Sequence, residues 1–175
     1  MIVLVGFMGA GKSSVGRLLA ARLGLPFADS DLVIEERCGS RVPEIFAEYG
    51  EAGFRVVEHE VIDELLRGPD AVLAVGGGAV EHRATWRLLR AARVIYLQVT
   101  YEEALQRVGG DAGRPLLQRP DLQDIYRRRL PAYQSVATLT IATGGRPAEA
   151  VCREVVSRLA PEPDLPPGPQ AGYAR

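Results

Sequence analysis

The sequence predicts an α/β fold, with helices packed around a buried parallel sheet. Three observations carry this. Short apolar runs alternate with longer segments of helical period, the runs are unbroken rather than alternating with polar residues, and turn residues bound each of them. Strands are expected at 2–5, 26–28, 71–75, 94–99 and 138–142. Helices are expected at 12–23, 31–38, 42–49, 51–67, 81–91, 101–107, 122–136 and 148–159. Right-handed crossovers between parallel strands would place a ligand at their carboxyl ends. Residues 1–159 read as one domain. Within it, 108–121 is rich in glycine and proline, too polar for core, and reads as a mobile lid or simply a long loop. Residues 160–175 hold five prolines and almost no hydrophobic pattern, which predicts a disordered tail.

Composition narrows the classes of function. The chain has 175 residues, a net charge of -1 and 47% hydrophobic residues. A domain of this length buries roughly 70% of its unfolded surface and needs no staples. The near-zero charge gives no global field toward nucleic acid or anionic membrane, so any anion site must be local. Cys38 and Cys152 lack disulfide or metal spacing and read as reduced, half-buried thiols. The chain opens on a strand, without a charged and then apolar leader, and no apolar run approaches ~20 residues. No signal peptide and no membrane span are expected, and the cytoplasm is the default location.

The stretch "GFMGAGKSS", residues 6–14, joins the first strand to the first helix and fits G-x-x-x-x-G-K-[ST]. Such a loop turns its backbone N–H groups onto phosphate oxygens. Lys12 would reach the β- and γ-phosphates, the Ser13 hydroxyl would hold Mg²⁺, and the helix end adds positive potential. Gly9, Ala10, Gly11, Lys12, Ser13 and Ser14 form the candidate cradle. Of the 21 basic residues, 20 are arginines and one is lysine, at position 12. The exception stands where a compact point charge suits phosphates better than a planar fork. The sequence has no N-K-x-D base-reading motif and no L-S-G-G-Q signature, which leaves mostly small-molecule phosphotransfer.

Four further pieces bear on the acceptor. In "FADSDLVIEE", Asp29 could orient a Mg²⁺ shell while Asp31 takes a proton from a hydroxyl. Equally, Asp29 or Ser30 could cap the helix. Arg55 and Glu58 are three apart. On the residues alone an ordinary surface pair worth about 0.2–0.5 kcal/mol is the simpler reading, and the functional one has Glu58 fixing Arg55 to clamp a carboxylate. Gly76, Gly77 and Gly78 end an apolar strand and permit a ligand to touch backbone. Of Arg127, Arg128 and Arg129, the last sits nearest Pro131 and is best placed to aim inward, while Arg114 could fold over a transferring phosphate. Either arginine could also be a solvated surface residue. Trp86 falls on an apolar face with Leu89 and reads as core. Phe46 and Phe54 fit either core or pocket wall.

In this order and spacing, "GFMGAGKSS", "DSD", "GFRVVE", "GGGAV", "GRPLL" and "RLPAY" resemble the shikimate kinase family over residues 2 to about 159. The resemblance implies a P-loop NTPase fold with a five-stranded parallel sheet flanked by helices, a lid and a helical substrate-binding region. It implies transfer of the ATP γ-phosphoryl group to the 3-hydroxyl of shikimate, on the way to chorismate and the aromatic amino acids, with Mg²⁺. Carried over, Asp31, Arg55 and Arg129 look like acceptor ligands, with Gly77 as a backbone contact inside its triplet. Lys12 and Arg114 would hold phosphates, Ser13 the metal and Asp29 its water shell, so that Asp31, Lys12 and Arg114 form the catalytic set. The adenine-side loop departs from the family's frequent pattern in having Ala142 before its threonine. Arg107, Arg146 and Pro147 are the expected adenine-side contacts. A sugar-acid kinase acting on gluconate, and an idle nucleotide-binding relative, are the alternatives. A monomer is expected, with no nucleic-acid partner.

Overall fold

The computed structural model describes residues 1–109 and 120–159. Arg114, most of the expected lid and the whole expected tail lie outside these residues. Five parallel strands form one sheet in the order β2-β3-β1-β4-β5. They are β1 (Ile2–Val5), β2 (Phe27–Asp29), β3 (Val72–Ala74), β4 (Arg93–Gln98) and β5 (Leu139–Ala142). Registers such as Leu4 opposite both Ala74 and Ile95 bring the carboxyl ends of β1, β3 and β4 level with one another.

Helices α1 (Lys12–Leu23), α2 (Ser30–Cys38), α3 (Val42–Arg67), α4 (Arg83–Arg90), α5 (Tyr101–Val108), α6 (Leu122–Val136) and α7 (Ala148–Leu159) connect the strands. The apolar strands are buried on both faces: all four residues of β1 are below 9% exposed, as are the three of β3. This is why their sequences lack alternation. The main core surrounds the sheet, with Leu4, Leu73, Ile95 and Leu97 fully covered. A second cluster, Ile34, Ile45, Phe54 and Val61, joins α2 to α3 away from the sheet. No helix among the described residues is long and apolar enough to cross a membrane.

Two boundaries differ instructively from expectation. The two helices expected at 42–49 and 51–67 run on as α3, but Gly50, at φ 68° and ψ 178°, breaks the helical geometry between them. The helix expected from residue 81 starts only at Arg83. Ala79–Glu81 forms a 3-10 turn, its first and last N–H groups donating to the carbonyls of Gly76 and Gly78, and His82 then turns extended. Glu81 therefore ends this turn and stays outside α4. Nor are the cysteines half-buried: Cys38 is exposed and Cys152 buried, both as free thiols.

Candidate active site

The loop between β1 and α1 is built around glycines at positive φ. Gly9 has φ 73° and Gly11, which caps α1, has φ 91°. A Cβ on Gly9 would also press 2.6 Å from the Ala104 carbonyl oxygen. The first turn of α1 contains no acidic residue to compete with an incoming anion. Lys12 folds back over the loop, its Nζ donating to the carbonyl oxygens of Gly6 at 2.8 Å and Phe7 at 3.2 Å.

A cleft of about 390 Å³ opens at this loop. Gly9 to Ser14 form one wall, Asp29 and Asp31 another, and Arg107, Thr143 and Arg146 close the far end. Arg107 ties that end together, since its guanidinium donates to the Gly9 carbonyl at 3.1 Å, to Thr143 Oγ1 at 3.1 Å and to the Thr143 carbonyl at 2.5 Å. Arg146 donates to the Ala142 carbonyl at 2.8 Å and pairs with Glu154 at 2.7 Å. Pro147 precedes α7, and its carbonyl accepts from Ala150 and Val151.

Between loop and acceptor side stand the two aspartates. The Ser13 hydroxyl donates to Asp29 Oδ2 at 2.7 Å. Asp29 also caps α2, its Oδ1 accepting from the Asp31 N–H at 3.2 Å. Capping and proximity to Ser13 thus coexist, one on each carboxylate oxygen. Ser30 is no cap: wholly buried, it accepts from the Gly76 N–H at 3.0 Å. Asp31 lies against Gly76, where an added Cβ would fall 2.8 Å from Oδ1. Burial, and next the charge of Asp29, push the Asp31 carboxyl above its ordinary value, against the pull of Lys12 and Arg55.

The glycine triplet is the floor of the second half. The buried Tyr133 hydroxyl donates to the Gly77 carbonyl, so Ser30 and Tyr133 both hold the turn through its backbone. Gly76 and Gly78 are glycines because side chains approach them. A Cβ on Gly76 would collide with Glu58 Oε1, and one on Gly78 with Arg55 Nη2, while lying 2.9 Å from Arg129 Nη2. Two guanidinium groups thus meet over one Cα.

Arg55 and Glu58 are not a surface pair. Their side chains are 11% and 0% exposed, and the Arg55 Nη1 lies 2.6 Å from Glu58 Oε2. The exposed Glu51 adds a 3.3 Å contact. The turn of α3 carrying Arg55 is held inward because Phe54 is buried in the second core and stacks on Phe46 at 4.4 Å, with Arg55 5.3 Å from the Phe54 ring centroid. Burial pushes Glu58 up to about 7, despite the pull of Arg55. Burial also works against the Arg55 guanidinium, but Glu58 and Glu51 outweigh it and stabilise its charge. Arg55 Nε and Glu58 Oε1 are buried without a hydrogen-bond partner among the described residues. A buried polar atom left so is an invitation to a polar ligand.

Arg129 is 2% exposed, whereas Arg127 and Arg128 are 65% and 62% exposed. It is fastened to Glu81, which sequence reasoning missed because 48 residues separate the two. Ser30, Tyr133 and Thr143 were missed as supports for the same reason: their partners are remote in sequence. Trp86 is half-buried against the main core and donates to Ser135 Oγ at 2.9 Å.

With this geometry in view, similarity to known proteins is decisive. The family model for shikimate kinase matches residues 8–160. The chain belongs to the shikimate kinase family. It is 45% identical over 163 residues to the shikimate kinase of Pseudomonas paraeruginosa (strain DSM 24068 / PA7), covering 90% of this chain and 95% of that protein. To that of Moorella thermoacetica it is 49% identical over 162 residues, covering 90% and 93%. The shikimate kinase of Acinetobacter baumannii, solved in complex with shikimate, superposes with a TM-score of 0.87 at 41% identity, over 90% of each chain. The protein is an ATP-dependent kinase on a P-loop scaffold.

Proposed function

We propose that the protein transfers the γ-phosphoryl group of ATP to the 3-hydroxyl of shikimate. One observation carries the reading. Asp31 forms part of the nucleotide cleft wall and also abuts Gly76, two residues from where Arg55 and Arg129 converge on Gly78. A small ring with a carboxylate at one end and a hydroxyl at the other matches that spacing of charge.

In this reading Arg55 and Arg129 bracket the carboxylate, and the backbone at Gly77 contributes a polar contact. Charge-assisted forks of this kind fix orientation as well as affinity. Asp31, made more basic by burial and by Asp29, accepts the hydroxyl proton as that oxygen attacks the γ-phosphorus. The bond from that phosphorus to the β–γ bridging oxygen breaks, and ADP leaves. Lys12 leaves its backbone carbonyls for the phosphates, and the loop N–H groups take the charge on their oxygens. Arg114 would add to this from outside the described residues. Ser13 Oγ and Asp29 Oδ2, two hard oxygen donors at the foot of the loop, suit Mg²⁺ directly or through its waters. Bound there, Mg²⁺ would offset charge on the phosphates. Arg107, Arg146 and Pro147 would frame the adenine end. A cytoplasmic monomer fits this role.

The test is ADP release with ATP and Mg²⁺ when shikimate, quinate, gluconate and no acceptor are offered in parallel. Release with shikimate alone is expected. Release with gluconate and not shikimate would refute the acceptor assignment while keeping the phosphate chemistry. Failure with every acceptor, from folded protein that binds ATP, would refute both.

A further inference from the structure

Glu81 closes the 3-10 turn after the glycine triplet, and none of the motifs above includes it. Its two carboxylate oxygens serve two consecutive arginines of α6. Oε2 accepts from Arg129 Nε at 2.7 Å and lies 2.6 Å from Arg129 Nη2, while Oε1 accepts from Arg128 Nε at 3.1 Å. Burial disfavours its charge, but Arg129 and then Arg128 outweigh this and hold its carboxyl below the ordinary value. Glu81 is therefore an anion at neutral pH.

Arg129 needs such a partner, because a guanidinium buried to this degree is strongly disfavoured without a countercharge. The way it is held matters as much. Both contacts use the Nε and Nη2 side of the fork, so Glu81 removes rotamer freedom that an arginine otherwise has in abundance. The held Nη2 is the atom beside Gly78, where Arg55 Nη2 also arrives. We propose that Glu81 is a positioning residue that sets the Arg129 fork for the acceptor's carboxylate and so governs acceptor affinity without touching the acceptor. This rests on the reading of Arg129 as a carboxylate ligand. With Arg55 held by Glu58 and Arg129 by Glu81, the site selects carboxylates by directed hydrogen bonds. Repulsion between Glu81 and the incoming carboxylate is the opposing effect. It is the weaker one, because loss of bidentate geometry acts at contact distance.

The experiment measures KM for shikimate and for ATP in the E81A, E81Q, R129A and E81A/R129A variants, with thermal midpoints alongside. E81A should raise the shikimate KM by about tenfold or more and leave the ATP KM within about twofold. E81Q, of nearly the same shape and still a hydrogen-bond acceptor, should recover part of the loss and covers the case in which E81A folds poorly. In the R129A background, E81A should add less than about twofold. The proposal is overturned if E81A leaves or lowers the shikimate KM. It is overturned equally if both KM values rise together with a fallen midpoint, since Glu81 would then be a brace. Full multiplication of the two single effects would show that it does not act through Arg129. An R129A variant with unchanged shikimate KM would remove the underlying site reading as well.

Discussion

Adding one methyl group at Gly78 separates the two jobs of the glycine triplet. Gly78 has φ -95° and ψ -3°, a conformation open to alanine, so Gly78→Ala imposes no backbone strain. Its effect comes from the new Cβ. That atom would overlap Arg55 Nη2 and lie 2.9 Å from Arg129 Nη2, where ordinary contact begins at 3.4 Å. Both guanidinium groups are the far ends of flexible side chains, so the backbone need not move, but Arg55 Nη2 must retreat by well over an ångström and Arg129 Nη2 by about half an ångström. The carboxylate clamp, however, depends on where those ends sit. Losing one well-aligned charge-assisted hydrogen bond costs about 1.5–3 kcal/mol, or about 10- to 100-fold in affinity. Steady-state ADP release with each substrate varied should show Gly78→Ala raising the shikimate KM within that range, with the ATP KM within about twofold. The thermal midpoint should move by no more than about 4 °C. Gly77→Ala is the control: its Cβ meets the Gly6 carbonyl oxygen at 3.4 Å and the Tyr133 hydroxyl at 3.6 Å, ordinary contacts away from the arginines. Equal shikimate KM values for Gly78→Ala and wild type would refute the convergence argument. So would a Gly77→Ala variant that is impaired just as severely.

Lys12→Ala should lower kcat by at least about 100-fold, because no other lysine exists to neutralise the phosphates from within the loop, while the thermal midpoint stays close to wild type; turnover near wild type would remove the phosphate assignment. Arg107→Ala cuts the tie between Gly9 and Thr143, and should raise the ATP KM by about tenfold with little change for shikimate, as read from paired saturation curves. Glu58 predicts a pH dependence of stability. Its folded pKa, about 7 against an ordinary 4.5, means that the native state binds the proton more tightly than the unfolded chain. Its contribution is therefore fully present below pH 4.5 and is lost as pH rises through 7. Denaturant midpoints at pH 5 and pH 8 should differ less in Glu58→Gln than in wild type; an unchanged difference would refute the assignment.

What the sequence made legible is what neighbouring residues determine. The bounds of β1, α1, α6 and α7 follow from local apolar pattern, caps and turns, and match the structure residue for residue. The glycine loop is legible because its motif lies in nine consecutive residues. Nearness to Pro131 singles Arg129 out of its run, and it is the one of the three whose side chain is buried. Arg55 with Glu58 shows where such reasoning stops. Spacing of three places them on one face, but only the packing of Phe54 against Ile34, Ile45 and Val61 decides that this face turns inward. That packing converts a pair worth a few tenths of a kcal/mol at a surface into a buried charge couple whose separation leaves an uncompensated ion. Glu81 shows the further limit. Periodicity put it at the start of a helix, and the structure ends a 3-10 turn on it instead, because the N–H groups of Ala79 and Glu81 are satisfied by Gly76 and Gly78. The same glycines that admit the arginines thus bend the chain so that a carboxylate comes back to meet one of them. A turn selected for close approach also supplies the countercharge, which is why a chain of net charge -1 can hold two arginines in its interior.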